Sequence, residues 1–203
     1  MAAAHEHPII LVEGIDGSGK DTVVDAMVDA LDRCAVFGFP TRITRAGIWA
    51  RRALKHGIPD VDAWQKLCNL DRRDMKGIIE AARRLMPVIL NRYSPSGYAY
   101  ARIRGADSDT AKRGEDMIAQ PTHVVFVQCS PQDADGFIAD RETTITREVF
   151  ENRRDLAEVA PMFEEAFDAL SFTPTVFENG RHVSIQELRD RATKFIDELV
   201  GRQ

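Results

Sequence analysis

The run Gly14-Ile15-Asp16-Gly17-Ser18-Gly19-Lys20 constrains this 203-residue chain more than any other feature. It meets a GxxxxGK spacing, and its flanks give that spacing meaning. Ile9-Ile10-Leu11-Val12 before it is a continuous apolar run, as expected of a strand buried on both faces of a parallel sheet. After it, Val23, Val24, Ala26, Met27, Ala30 and Leu31 recur at helical spacing, which predicts a helix from Thr22 to Leu31. Strand, glycine turn and helix in that order make the front half of a βαβ unit. The glycines let successive backbone N–H groups turn inward around phosphate oxygens, Lys20 adds a positive charge, and the helix offers its positive N-terminal end. Gly14, Gly17, Ser18, Gly19, Lys20, Asp21 and Thr22 are therefore the expected cradle for nucleotide phosphates.

The remaining apolar runs extend the pattern. Cys34 to Phe37, Pro87 to Leu90, His123 to Gln128 and Thr175 to Phe177 read as further strands separated by helical stretches, giving five parallel strands with helical crossovers. Trp64 to Met86, Pro161 to Leu170 and Ile185 to Leu199 read as helices, the last with Ser184 as N-cap and Glu187 completing a capping box. Pro131 to Asn152 has no long apolar stripe and suits an exposed, mobile segment. No repeat and no long linker divides the chain, so residues 1–203 are expected to form one domain.

Composition narrows the class. With 44% apolar and 29% charged residues, an ordinary globule is expected, and a net charge of -5 disfavours a polyanion-binding surface spread over the whole molecule. A local basic patch for nucleic acid remains open. Cys34, Cys68 and Cys129 are odd in number and widely spaced, which fits neither a disulfide framework nor a CxxC metal site. The opening MAAAHEHP has no basic stretch leading into an apolar segment, and no apolar run approaches membrane-spanning length. A cytoplasmic protein without membrane association is the expectation, with His5 and His7 on a solvent-exposed tail.

Asp21 departs from the phosphate-loop pattern, standing where a Ser or Thr hydroxyl normally ligates Mg²⁺. Beside phosphates a carboxylate would be repelled unless a cation lay between them, so Asp21 is a candidate metal ligand. Equally, a first-turn Asp favours the helix dipole without touching any metal.

Four segments, in order, resemble thymidylate kinases. Glu13-Gly14-Ile15-Asp16-Gly17-Ser18-Gly19-Lys20 is similar to the EGxDGxGK opening of that family. Phe39-Pro40-Thr41-Arg42 with Thr44 and Gly47 resembles FPxRxTxxG. Asn91-Arg92-Tyr93 with Ser96, Gly97 and Ala99-Tyr100 resembles DRY/H-xxS-xxAY. Phe150-Glu151, preceded by Arg141 and Arg147, resembles the ending of the arginine-bearing lid. The resemblance covers most of the chain, and Thr175 to Val183 is also similar to the fifth strand and the loop near adenine.

The resemblance implies an α/β, three-layer P-loop kinase fold: a five-stranded parallel sheet flanked by helices, with a mobile lid at about 132–152. It also implies phosphoryl transfer from ATP, with Mg²⁺, to a deoxynucleoside monophosphate, and a homodimer joined through helices. Lys20, Arg92, Arg141 and Arg147 become the expected catalytic cations, and Asp16, Phe39, Arg42, Cys68, Arg72, Arg92, Ser96, Gly97 and Tyr100 the expected acceptor set. Arg42 and Arg92 would meet the acceptor phosphate, Asp16 its sugar, and Tyr100 would fill the space of a ribose 2′-OH. Because Gly17 and Ser18 leave the loop without an arginine, the resemblance assigns the transition-state cation to the lid, which carries Arg141, Arg147, Arg153 and Arg154.

The departures bear on base and metal. Cys68 stands where the family stacks a Phe on thymine, while Arg72, four residues on and on the same helix face, is kept. Trp64 could restore the ring or could be a core residue. A 5-modified dUMP, or another deoxynucleotide, then becomes a plausible acceptor beside dTMP. Asn91 replaces an Asp near the metal, so Asp21 and Asn91 could have exchanged carboxylate and uncharged partner. Two other functions stay open: phosphorylation of a hydroxyl on a modified base in DNA, and nucleotide binding without catalysis.

Overall fold

The computed structural model describes residues 6–57, 60–141 and 153–201. Five strands, β1 (Ile9–Glu13), β2 (Ala35–Gly38), β3 (Val88–Asn91), β4 (His123–Cys129) and β5 (Thr175–Asn179), form one parallel sheet in the order β2-β3-β1-β4-β5. The order reverses direction at β1, so the turn that leaves β1 opens into the crevice beside β3, where α/β sheets bind ligands.

Alternation along β1 explains its unbroken apolar run. Ile9 and Leu11 join one core with Leu90, Phe126 and Phe163, whereas Ile10 and Val12 join the other with Ile89, Val125 and Ile196. Both faces are covered, so neither parity of residue can be polar. Each such side chain, fully withdrawn from water, contributes about 1.5–3 kcal/mol. Helices α1 (Lys20–Ala30) and α8 (Ile185–Val200) cover the second face and pack on each other. The expected capping box of α8 is present: the Ser184 hydroxyl accepts from Glu187 N at 3.1 Å, and the Glu187 carboxylate accepts from Ser184 N at 2.7 Å.

On the first face lie α2 (Arg45–His56), α3 (Val61–Ala82), α4 (Ser94–Arg102) and α7 (Arg153–Ala169). Two short turns of helix, α5 (Ser108–Ala111) and a 3₁₀ turn at Glu115–Met117, lead from α4 toward β4. Neither α2 nor α4 was expected from periodicity. In α4, every residue from Ser94 to Ala101 is buried, so there is no polar face to mark a helical period. Helix α7 begins eight residues before the expected start at Pro161, the difference between residues 153 and 161. The stripe Leu156, Val159, Phe163 and Phe167 runs straight through the proline, and its burial outweighs the one backbone hydrogen bond that Pro161 cannot make.

The segment read as exposed and mobile is helical in its first half: α6 (Pro131–Arg141) follows β4 and buries Ala134 and Ile138. Residues 142–152, including Arg147 and Phe150-Glu151, lie outside the described residues. Among the described residues no helix is long and apolar enough to cross a membrane.

Candidate active site

A cavity of about 510 Å³ opens at the C-terminal edge of the sheet, above the β1–α1 turn. Its floor is the glycine turn. Gly17 has a φ of +76°, and a Cβ there would strike Ala134 O on α6, so both the left-handed backbone and the close approach require glycine. Asp16, Gly17, Gly19, Lys20, Asp21 and Thr22 line the cavity, whereas Gly14 and Ser18 do not. Ser18 is fully buried, and Asn179 at the end of β5 donates to its carbonyl at 2.8 Å.

Lys20 is 5% exposed and donates through Nζ to the Ile15 carbonyl at 2.9 Å, which folds the side chain back over the turn. Burial, reinforced by the nearby Arg92 charge, lowers its pKa to about 8 against the pull of Asp16 and Asp21.

The acceptor wall centres on Arg92, the residue after β3. Its φ is +64°, unusual for a residue with a side chain and worth about 1–3 kcal/mol of strain. Glu13, the last residue of β1, holds the turn in place. Its wholly buried carboxylate accepts from Tyr93 N at 2.7 Å, Ser96 N at 3.2 Å and Ser96 Oγ at 2.6 Å, so it caps α4 from another strand. Burial raises the Glu13 pKa, and the Ser96 bond and the Arg92 charge oppose the rise. Arg92 in turn pairs with Asp16, whose other oxygen accepts from Tyr100 Oη at 2.7 Å. Burial alone would raise Asp16, but the charges of Arg92 and Lys20 outweigh it and keep it ionised.

Helix α3 supplies the far wall at one-turn intervals, with Trp64, Cys68 and Arg72 all lining the cavity. Trp64 belongs to the core, donates from Nε1 to Ala50 O at 3.2 Å, and also lines the cavity. Burial pushes the Cys68 thiol up to about 12, so it is a neutral wall. Arg72 donates to Tyr93 O at 2.9 Å and to Asn69, and it lies so close over Gly97 that any Cβ there would collide with its guanidinium. Phe39 completes this wall, its ring edge-on to Tyr93 at 4.8 Å between centroids.

Asn91 and Asp21 meet directly. Asn91 Nδ2 donates to Asp21 Oδ1 at 2.7 Å, and Asn91 Oδ1 is buried without a partner among the described residues. Burial works against the Asp21 charge, but Lys20 and the Asn91 bond lower its pKa on balance.

Not every expected residue arrives. Arg42 is exposed and outside the cavity lining. The buried Asp71 carboxylate accepts from Thr41 N and Oγ1, each at 2.6 Å, and from Thr44 Oγ1 at 2.5 Å, which turns Thr41 inward and leaves Arg42 outside. Arg141 does line the cavity, one turn after Phe137 on α6, while Arg153 and Arg154 are exposed at the start of α7 and do not. Sequence reasoning missed Arg51, Leu54 and Phe137. For the first two the spacing Gly47, Arg51, Leu54 was the available signal, one face of a helix that had not been recognised.

Known proteins are similar to this chain in sequence and in fold. A family model described as thymidylate kinase matches residues 12–179. The chain is 29% identical over 140 residues to a thymidylate kinase of Schizosaccharomyces pombe, covering 66% of this chain and 67% of that protein. It is 24% identical over 195 residues to one of Xanthomonas campestris, covering 90% and 85%. A solved thymidylate kinase structure from Candida albicans superposes with a TM-score of 0.74 at 19% identity, covering 98% of this chain and 94% of that one.

Proposed function

The chain belongs to the thymidylate kinase family, and from that premise we propose that it transfers the γ-phosphoryl group of ATP to a 2′-deoxynucleoside 5′-monophosphate, dTMP or a 5-substituted dUMP. An oxygen of the acceptor phosphate attacks the γ-phosphorus, the bond to the β–γ bridging oxygen breaks, and a nucleoside diphosphate and ADP leave. Family membership favours this over a hydroxyl kinase acting on DNA and over a binding protein without catalysis.

The single observation that carries the reading is the convergence of Lys20, Arg92 and Arg141 on one cavity with a phosphate cradle on its floor. Phosphoryl transfer needs two anions brought into line and their repulsion offset, and cations arranged before the reaction do that. Lys20 would serve the ATP phosphates from the cradle, Arg92 the acceptor phosphate, and Arg141 the charge that builds between them. Asp16 and Tyr100, hydrogen-bonded to each other, would face the acceptor sugar from one side, while Phe39, Leu54, Trp64, Cys68 and Arg72 would bound the space for its base.

The residues present fit Mg²⁺. Asp21 offers an ionised carboxylate, and beside it Asn91 has a buried amide oxygen without a partner among the described residues. One carboxylate together with substrate phosphate oxygens is a usual way for Mg²⁺ to be held beside nucleotides. Bound there, Mg²⁺ would neutralise charge on the transferring phosphates. A homodimer in the cytoplasm completes the proposal; exposed Ile48 and Trp49 on α2 and Ile78 on α3 support a helix-to-helix contact.

Assay of ADP formation with ATP, Mg²⁺ and a panel of nucleoside monophosphates, including 5-substituted deoxyuridylates, tests the reading. Saturable turnover of at least one deoxynucleotide is expected, and none with any acceptor would refute it.

A further inference from the structure

We propose that Asn179, the last residue of β5, is a positioning residue for the phosphate cradle: its side-chain amide holds the Ser18–Gly19 peptide plane so that the Gly19 N–H faces the ATP phosphates. The assignment rests on the kinase reading above. Hydrogen bonding is the first support. Asn179 Nδ2 donates to the Ser18 carbonyl at 2.8 Å, across 161 residues of sequence. Asn179 Oδ1 accepts from Gly180 N at 2.9 Å, so both ends of the amide are committed and its NH₂ end is the one that meets Ser18. A trans peptide is planar, with its carbonyl and its N–H on opposite sides. Asn179 stands outside the cavity that Gly19 lines, so drawing the Ser18 carbonyl toward Asn179 turns the Gly19 N–H to the cavity side. That N–H meets no backbone acceptor among the described residues.

Packing is the second support. A Cβ on Gly19 would lie 2.6 Å from Asn179 Nδ2 and 3.1 Å from Leu188 Cδ2, so the amide rests directly on the peptide it orients. Ser18 stands between two glycines, and glycine leaves the neighbouring peptide planes cheap to rotate. Glycine spacing gives the turn its path, and Asn179 fixes one of its planes from outside. A donor held in place before ATP arrives spares the binding step the cost of ordering it.

The test is calorimetric binding to the full chain of ATP with Mg²⁺, and of the deoxynucleoside monophosphate that the wild type binds tightest. Asn179→Ala removes the donor without adding charge, and Asn179→Asp keeps the shape but turns an oxygen to the Ser18 carbonyl. ATP should bind about five- to tenfold more weakly to the first variant and more weakly still to the second, while the monophosphate stays within roughly twofold of wild type for both. In isotope-labelled protein the Gly19 amide resonance should shift on ATP binding, and shift less in Asn179→Ala saturated with ATP, a change that lost packing elsewhere would not produce. Unchanged ATP affinity in either variant, equal weakening of ATP and monophosphate, or a wild-type Gly19 shift in Asn179→Ala would overturn the proposal. A wild type that binds neither nucleotide would sink the kinase reading itself, a result visible before any variant is made.

Discussion

The phosphate cradle draws its groups from the single run Gly14 to Lys20, whereas the opposite wall collects Arg51, Arg72, Arg92 and Tyr100 from α2, α3, the end of β3 and α4. The cradle works mainly through backbone conformation, so glycines at fixed spacing specify it. The acceptor wall works through side chains held by remote partners, Glu13 under α4 and Asp71 under the Thr41–Thr44 turn. Local geometry tolerates little change, and assembled geometry can trade one residue for another. Cys68 and Asn91 depart from the family's residues and Arg42 from its expected place, all on the assembled side or at its border, while the cradle keeps every glycine and its lysine and departs only at Asp21, on its edge beside Asn91.

If that contrast holds, the largest loss comes from the cradle. Lys20→Ala should lower kcat/KM by at least about 100-fold in an ADP-release assay while circular dichroism stays native, because the lysine meets charge that develops during transfer. Turnover above about a tenth of wild type would place the reacting phosphate elsewhere. On the assembled wall, Arg92→Ala should raise the acceptor KM roughly 30-fold and leave the ATP KM within about threefold. Equal changes for the two substrates would erase the distinction between the walls.

A smaller effect separates them by pH. The free-protein pKa of Lys20 is lowered to about 8, so above that pH the lysine is neutral and must take up a proton when phosphates bind. ATP affinity, measured by titration calorimetry, should therefore fall between pH 8 and pH 9 by up to about tenfold, with proton uptake seen as a buffer-dependent enthalpy. Arg92, whose pKa is raised by Asp16 despite burial, stays charged throughout, so acceptor affinity should change much less. Parallel losses for both ligands would assign the titration to another group.

The smallest effect lies where the walls touch. Asp21→Ser should raise the Mg²⁺ concentration for half-maximal activity several-fold, and adding Asn91→Asp should recover much of it. A double-mutant cycle should give a coupling of roughly 0.5–3 kcal/mol, as expected of side chains in direct contact. Strict additivity would make Asp21 a helix-start residue and nothing more.

How legible the molecule was follows the same division. The central strands could be read because strands inside a parallel sheet are apolar on both faces, and the α8 start because Ser184 and Glu187 form a local device. Helices α2 and α4 could not. The first has a mixed surface that includes exposed Trp49, and the second is buried all round with a proline and a glycine in its sequence. Among the expected site residues, Lys20, Arg92 and Tyr100 line the cavity, and each follows a strand end that the sequence marks, Lys20 seven residues after Glu13, and Arg92 and Tyr100 one and nine residues after Asn91.

By itself, then, the sequence determined the cradle, the order of the five strands along the chain and the class of anion they would receive, since each depends on residues adjacent in the chain. Only the tertiary structure decided that Arg42 points away and Arg51 points in, because Asp71, 30 residues from Thr41, fixes the turn that carries Arg42. It likewise decided that Asn91 and Asp21, 70 residues apart, share a hydrogen bond. Side-chain direction at such positions is set by a partner's place in space, and spacing along the chain does not encode it.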